Sequence, residues 1–229
     1  MINKHNFLLG NPGNFMVSGK KIPDPYINSK GYRAPEFDTV DWNNSIVIFG
    51  CSYVYGTSIS IEETISAQLE NLLGRPVINM GVPASSIAFS FANQLTLWEQ
   101  GIAPYAVVNF WTSTQRLSYF LDNNLAAHIG PWIEYNNKHS LNMRLHKKMF
   151  ELWNFKDSNP AVYSCIFQRM AGILWKDTKH LEYSFFPETV EQFGIKAVEQ
   201  IDYGADNSHP GSRTTLEIAI IIAEDLESK

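Results

Sequence analysis

The stretch Ser45-Ile-Val-Ile-Phe-Gly-Cys-Ser-Tyr-Val-Tyr-Gly56 decides how the rest of the chain is read. Ser45 to Phe49 is a short, mostly apolar, β-branched run ended by Gly50, as in a strand buried on both faces. A helix is predicted next. Ser60-Ile-Glu-Glu63 has the spacing of a capping box, Ile61, Ile65, Leu69, Leu72 and Leu73 recur on one face, and Gly74 with Pro76 closes it. Val77 to Met80 reads as a second strand, ended by Gly81. Ser85 or Ser86 opens a second helix that runs to about Gln100, with Phe89, Ala92 and Trp98 toward the core, and Tyr105 to Trp111 reads as a third strand. Strands and helices alternating in this way imply right-handed crossovers and a parallel sheet. The expected fold class is α/β, a three-layer α/β/α sandwich around a parallel sheet of about five strands.

Upstream, residues 1–44 are rich in Asn, Gly, Pro and Lys without a sustained period, and read as an irregular lead-in wrapping a domain of residues 45–229. Asn28-Ser-Lys-Gly-Tyr-Arg33 within it is turn-like. Downstream, residues 117–139 show no clear period. Ser140 to Phe155 is spaced as a helix with Leu141, Leu145, Met149, Leu152 and Trp153 inward and Arg144, Lys147 and Lys148 outward. Residues 159–176 form another, so a helical insertion is expected around 117–176. Leu181 to Phe186 and Ala197 to Ile201 supply the fourth and fifth strands. A second capping box, Thr214-Thr-Leu-Glu217, starts a last helix to about Leu226.

At 229 residues the chain is long enough to bury a core without disulfides or a structural metal. Its 18 Lys+Arg against 23 Asp+Glu leave a net charge of −5 with no basic block, so no nucleic-acid partner is expected. Two cysteines, Cys51 and Cys165, exclude a disulfide framework and fit a reducing compartment. The first ten residues lack the apolar core of a signal peptide, and Ile218 to Ala223 is too short to span a bilayer. A cytoplasmic protein with no membrane partner is expected.

In a parallel α/β sheet, chemistry gathers where strands end. Four strand ends carry polar loops: Gly50 to Gly56, Asn79 to Pro83, Trp111 to Arg116, and Asp202 to Gly211. The first is no phosphate loop, because Tyr55 occupies the second glycine position and no lysine follows. Nor is it a Gly-x-Ser-x-Gly elbow, because Val54 stands at the last glycine. What remains is Ser52 beside a glycine, and Asp206 and His209, three apart, before the last helix. A serine hydroxyl needs an imidazole to take its proton, and the imidazole needs a carboxylate to fix its tautomer.

Taken together, these blocks resemble the SGNH hydrolases, the GDSL lipase/esterase superfamily. Phe49-Gly-Cys-Ser-Tyr-Val-Tyr-Gly56 is similar to the first block, with Ser52 at the nucleophile position; Asn79-Met-Gly81 to the second, whose glycine donates an amide to the oxyanion; and Asp206-Asn-Ser-His209-Pro to the last, which completes a triad. The lead-in segment Asn28 to Arg33 also resembles one that precedes the first strand in some members. Two departures stand out. Cys51 replaces the Asp of Gly-Asp-Ser, and Trp111-Thr-Ser-Thr114 replaces Gly-x-Asn-Asp, so Ser113 falls where an oxyanion-binding Asn is expected. Losing such a donor costs about 10²–10³ in rate.

The resemblance implies a serine esterase acting on a carboxylic ester, an acetyl or other short acyl group on a carbohydrate or small molecule. Ser52, His209 and Asp206 form its triad, Ser52, Gly81 and Ser113 its oxyanion hole, and no cofactor or metal takes part. Two alternatives stand beside it: a binding or accessory protein that reuses the fold for a glycan or an assembly, and an acyltransferase. Trp111, with Trp132, Tyr135 and Trp153, either lines a substrate cleft or packs in the core. Arg116 either binds an anionic or polar substrate group or pairs with an acid at the rim. Cys165 is read as core, Cys51 as facing away from the nucleophile side, and Asp202 as a weaker rival to Asp206. His5, His128 and His180 are read as surface or loop residues, and His139 and His146 lack the carboxylates a metal site needs.

Overall fold

The computed structural model describes residues 15–17, 20–22, 26–120, 126–133, 141–155 and 158–228. Tyr135 and His139 from the sequence reading lie outside them, as does His5. Two short strands, β1 (Phe15–Val17) and β2 (Lys20–Ile22), pair antiparallel, so the lead-in is not wholly irregular. The central elements follow: β3 (Ile46–Gly50), α1 (Ser52–Tyr55), α2 (Ile65–Leu73), β4 (Val77–Gly81), α3 (Ile87–Glu99) and β5 (Ala106–Phe110). Then come β6 (Leu117–Phe120), β7 (Ala126–Ile129), α4 (Leu141–Trp153), α5 (Ser158–Leu174), β8 (Lys179–Ser184), α6 (Pro187–Phe193), β9 (Lys196–Ala197) and α7 (Ser212–Glu227).

Five strands form one parallel sheet in the order β4-β3-β5-β8-β9. Strands β3, β4 and β5 are buried along their whole length, which is why their sequences run mostly apolar instead of alternating. The pleat still sorts side chains by layer. Ile46, Ile48, Val77 and Val108 meet Ile65 and Leu69 of α2 and Ile218 and Ile222 of α7. Val47, Phe49, Ile78 and Val107 meet Phe89 and Leu97 of α3, with Trp175 just past α5. Each fully buried Ile, Leu or Phe contributes about 1.5–3 kcal/mol.

Several elements depart from the sequence pattern, each for a local reason. The first capping box forms in part, the Ser60 amide donating to Glu63 Oε2 at 3.0 Å, but α2 starts one turn later, where the Thr64 hydroxyl accepts from the Ala67 amide at 3.3 Å. Leu72 and Trp98 face outward, at 48 % and 51 % exposure. On α3 the inward places go to Asn93 and Gln94, which bond Tyr32, Asn109 and Trp175. The region expected to be a helical insertion opens with the antiparallel pair β6–β7, and α5 is the crossover that covers the α3 side of the sheet. Leu145 and Leu152 of α4 are exposed, and Phe150 takes the buried position. The second capping box does not form. Ser212 begins α7, and Thr214 is a buried helix residue whose amide and hydroxyl both donate to Asp202 Oδ1.

Candidate active site

The register Gly50↔Gly81, with Phe49 beside Asn109 on the other side, brings the carboxyl ends of β3, β4 and β5 level. The order reverses around β3, so the loops after β3 and β5 flank the crevice where such sheets bind ligands. Ser52 is the first residue of α1, directly after Cys51. The turn is tight enough that a Cβ on Gly50 would lie 2.5 Å from Val54 Cγ2. Helix α1 is a single turn, and two outside residues hold its end. Asn79 Nδ2 donates to Val54 O at 2.8 Å, and the buried Arg33 guanidinium donates to Gly56 O at 2.8 Å, Ile59 O at 3.1 Å and Tyr55 O at 3.4 Å. Arg33 thus supplies a cation at the carbonyl end of the nucleophile turn.

Asp206 and His209 sit on a small loop closed by the Tyr203–Pro210 bridge and by Gly204 N donating to His209 O at 2.8 Å. The chain reverses there through Asn207 at φ 54°. Asp206 Oδ1 accepts from the amides of Ser208 and His209, both at 3.0 Å, and Oδ2 accepts a hydrogen bond from His209 Nδ1 at 2.5 Å. Burial alone would raise this carboxyl. The His209 amide and imidazole, the Ser208 amide and the Ser58 hydroxyl outweigh it and hold the acid at about 2. The carboxylate fixes the tautomer that leaves Nε2 free as a base. Asp202, the rival acid, is committed elsewhere: it accepts from the Arg213 and Thr214 amides and caps α7.

The His209 ring meets Tyr53, the residue after Ser52, edge to face at 5.4 Å. Ser52 is 7 % exposed, and its hydroxyl faces Cys51 Sγ at 4.0 Å, without a hydrogen bond to His209. Catalytic hydrogen bonds in unliganded enzymes are often long and tighten only with substrate.

The oxyanion candidates fare unevenly. Ser52 lies in the first turn of α1, where amides lack an intrahelical acceptor. Ser113 is buried, and its hydroxyl accepts from the Gln115 amide at 3.4 Å, keeping its own proton to donate. Gly81 is corrected: its amide already donates to Asn79 Oδ1 at 2.9 Å, and a Cβ there would sit 2.4 Å from Tyr55 N. Its glycine is required by the close approach of β4 to α1. Trp111 is corrected too. It is 2 % exposed, donates Nε1 to Glu182 at 2.7 Å and packs on Phe193, within the core.

Sequence reasoning missed the aromatic rim, because the end of the fourth strand was not among the loops read for chemistry. Phe185 and Phe186 follow β8, and Tyr53 meets them at 4.7 and 5.7 Å between ring centroids. Phe186 and Trp132 each lie 5.3 Å from the Arg116 guanidinium. Cys51, expected to face away, lies among site residues: burial pushes its thiol up, and Arg116 with hydrogen bonds from Tyr53, Thr112 and Ser52 brings it below its usual value. His128 and His180 are strand residues. His128 bonds Ser118 at 2.7 Å and meets Phe89 edge-on, and burial, aided by Arg116, depresses it to about 4. His180 bonds Asn109 at 2.7 Å, and His146 bonds the Tyr119 hydroxyl at 2.6 Å. Cys165 is half-buried, accepts from Gln192 Nε2 at 3.1 Å and lines a groove of about 710 Å³ beside α6, which holds none of the site residues. Among the described residues, no group of three His, Cys, Asp or Glu is arranged to hold a metal, and no helix is long and apolar enough to cross a membrane.

Fold and site together define a doubly wound α/β protein with a serine and an Asp–His pair at the carboxyl edge of its sheet. Three solved structures that it is similar to are a member of the lipolytic protein G-D-S-L family from Veillonella parvula, a carbohydrate esterase family 2 enzyme with a carbohydrate binding domain from Corynascus thermopiles, and the psychrotrophic esterase EstA from Pseudoalteromonas sp.. The first is 12% identical, with 79% of this chain and 96% of that one covered, at a TM-score of 0.44. The second is 12% identical over 93% and 70%, at 0.48, and the third 10% identical over 81% and 98%, at 0.41. No protein-family model matches the chain, and no curated protein matches it. With every TM-score below 0.5 these likenesses settle neither fold nor chemistry, which rest on this chain's own strands and side chains.

Proposed function

We propose that the protein is a serine esterase that hydrolyses a short acyl ester, such as an acetyl group, on a small molecule or carbohydrate. The observation that carries this reading is the Asp206–His209 pair, oriented at 2.5 Å and set against the residue that follows Ser52. His209 Nε2 takes the Ser52 proton as Oγ bonds to the ester carbonyl carbon. Asp206 holds the imidazolium through Nδ1. The Ser52 amide and the Ser113 hydroxyl donate to the oxyanion. Collapse breaks the bond to the alcohol, which leaves with the proton from Nε2, and water then repeats the sequence on the acyl-enzyme. The reading requires the Ser52 hydroxyl to turn from Cys51 to the imidazole when substrate binds. A binding protein without turnover is favoured by one observation, that the Ser52 hydroxyl faces Cys51 Sγ.

The test is intact-mass labelling with a fluorophosphonate alongside p-nitrophenyl acetate turnover, on wild type and Ser52→Ala. A single adduct lost in Ser52→Ala, together with the turnover, supports the esterase. A folded wild type that forms no adduct and hydrolyses nothing refutes it.

A further inference from the structure

Arg116 is the site's uncommitted cation. It lies in the loop after β5, six residues past the last strand position, Trp111 being the first residue of that loop. Its side chain is partly buried, its Nη1 is shielded from solvent without a hydrogen-bond partner, and no carboxylate lies within ion-pair distance among the described residues. The sequence left two roles open, and among the described residues no acid at the rim pairs with Arg116.

Burying a guanidinium costs free energy unless something pairs with it. Here the rings of Trp132 and Phe186, both at 5.3 Å, offset part of that cost and hold the planar group in place, while leaving its donors unused. The positive charge is felt by Cys51 and Tyr53, the two neighbours of Ser52 in the chain, and by His128. Phe186 in turn meets Tyr53, and Tyr53 meets His209. One continuous rim therefore runs from the proposed base to Arg116 along the edge of the nucleophile turn. A fork of N–H donors in that position suits a planar, negatively charged group, and Arg matches it in two-pronged fashion where Lys does not.

We propose that Arg116 makes the site selective for esters that carry a second, anionic group, a carboxylate or phosphate, near the scissile bond. The proposal rests on the esterase reading for its substrate, but its anion subsite is testable without turnover. Two matched substrates isolate the charge: mono-p-nitrophenyl glutarate, with a free acid, and p-nitrophenyl methyl glutarate, with the acid masked. Wild type should prefer the free acid in kcat/KM by about 10- to 100-fold, the range of one charge-assisted hydrogen bond. In Arg116→Gln that ratio should collapse toward one. In Arg116→Lys it should fall to an intermediate value, and in wild type it should shrink as salt rises. Thermal melts of both variants show whether the ring sandwich survives, and the Lys variant keeps the test open if the Gln variant does not fold. Calorimetric titration of glutarate into wild type and the folded variants separates the two readings. If neither ester turns over yet glutarate binds and the Arg116 variants lose it, the esterase reading falls and the anion subsite stands. Wild-type indifference to the charge, a preference unchanged in the Arg116 variants, or no glutarate binding in a protein that also lacks turnover overturns the proposal.

Discussion

Replacing Arg33 by alanine tests whether the lead-in shapes the nucleophile turn or merely lies over it. Two of the guanidinium's contacts are full hydrogen bonds, to Gly56 O at 2.8 Å and Ile59 O at 3.1 Å; the third, to Tyr55 O at 3.4 Å, is marginal. A hydrogen bond from a charged donor is worth about 1.5–3 kcal/mol, so the two good ones represent about 3–6 kcal/mol. Water entering the space left by alanine recovers part of this, and the cost of burying Arg33 itself disappears, which leaves an expected loss of about 2–4 kcal/mol. Urea unfolding followed by tryptophan fluorescence measures it, with Lys176→Ala as a surface control, since that side chain is 71 % exposed. The fluorophosphonate labelling rate should fall in parallel, because the freed carbonyls lie just past Ser52. If Arg33→Ala unfolds within about 0.5 kcal/mol of wild type, the usual scatter of surface changes, the clamp is not structural and the reasoning fails.

Gly81→Ala places a methyl 2.4 Å from Tyr55 N, so β4 and α1 must part; a loss of about 1–3 kcal/mol is expected in urea titrations, with slower Ser52 labelling. Asp206 is held at about 2 against an ordinary 3.8, so its contribution to stability is present above the unfolded value and disappears as pH falls through about 2. Its side chain is 33 % exposed, which keeps that contribution small. Urea midpoints of wild type should drop more between pH 4 and pH 2 than those of Asp206→Asn, and parallel curves would contradict this. His128 acts in the same direction at higher pH: the folded protein refuses a proton that the unfolded chain accepts below 6.5, so stability declines as pH falls from there to about 4. His128→Gln should flatten the decline, measured by thermal melts across that range.

The alternating order of strands and helices was legible because buried parallel strands are mostly apolar runs, and the β3, β4 and β5 segments are such runs, the first two ended by Gly50 and Gly81. Helix faces were less legible. Asn93 and Gln94 occupy inward positions that a hydrophobic pattern assigns to apolar residues, because their partners Tyr32, Asn109 and Trp175 come from distant parts of the chain. The β6–β7 pair gave no signal for the same reason: Ser118 and His128 satisfy one another across the strands, so polar residues stand where alternation would place apolar ones. At the site, Asp206 and His209 were legible because both belong to one short loop and bond locally. The amide of Gly81 was not, because its acceptor is the Asn79 side chain, which no spacing rule encodes. Nor does any motif mark Arg116 as lacking a counter-ion among the described residues, since that depends on which side chains the fold brings beside it.

The strap formed by Tyr32 and Arg33 reaches Gly56 across 23 residues and Asn93 across 61. During synthesis it is made before the turn it clamps and the helix that anchors it. At about 5–20 residues per second, Tyr32 waits roughly 3–12 s for Asn93, and Arg33 a shorter time for Gly56. The nucleophile turn can therefore be clamped at one end while the helix that anchors the strap is still unmade. Its final shape belongs to a late stage of folding, even though the strap that holds its end is made before it.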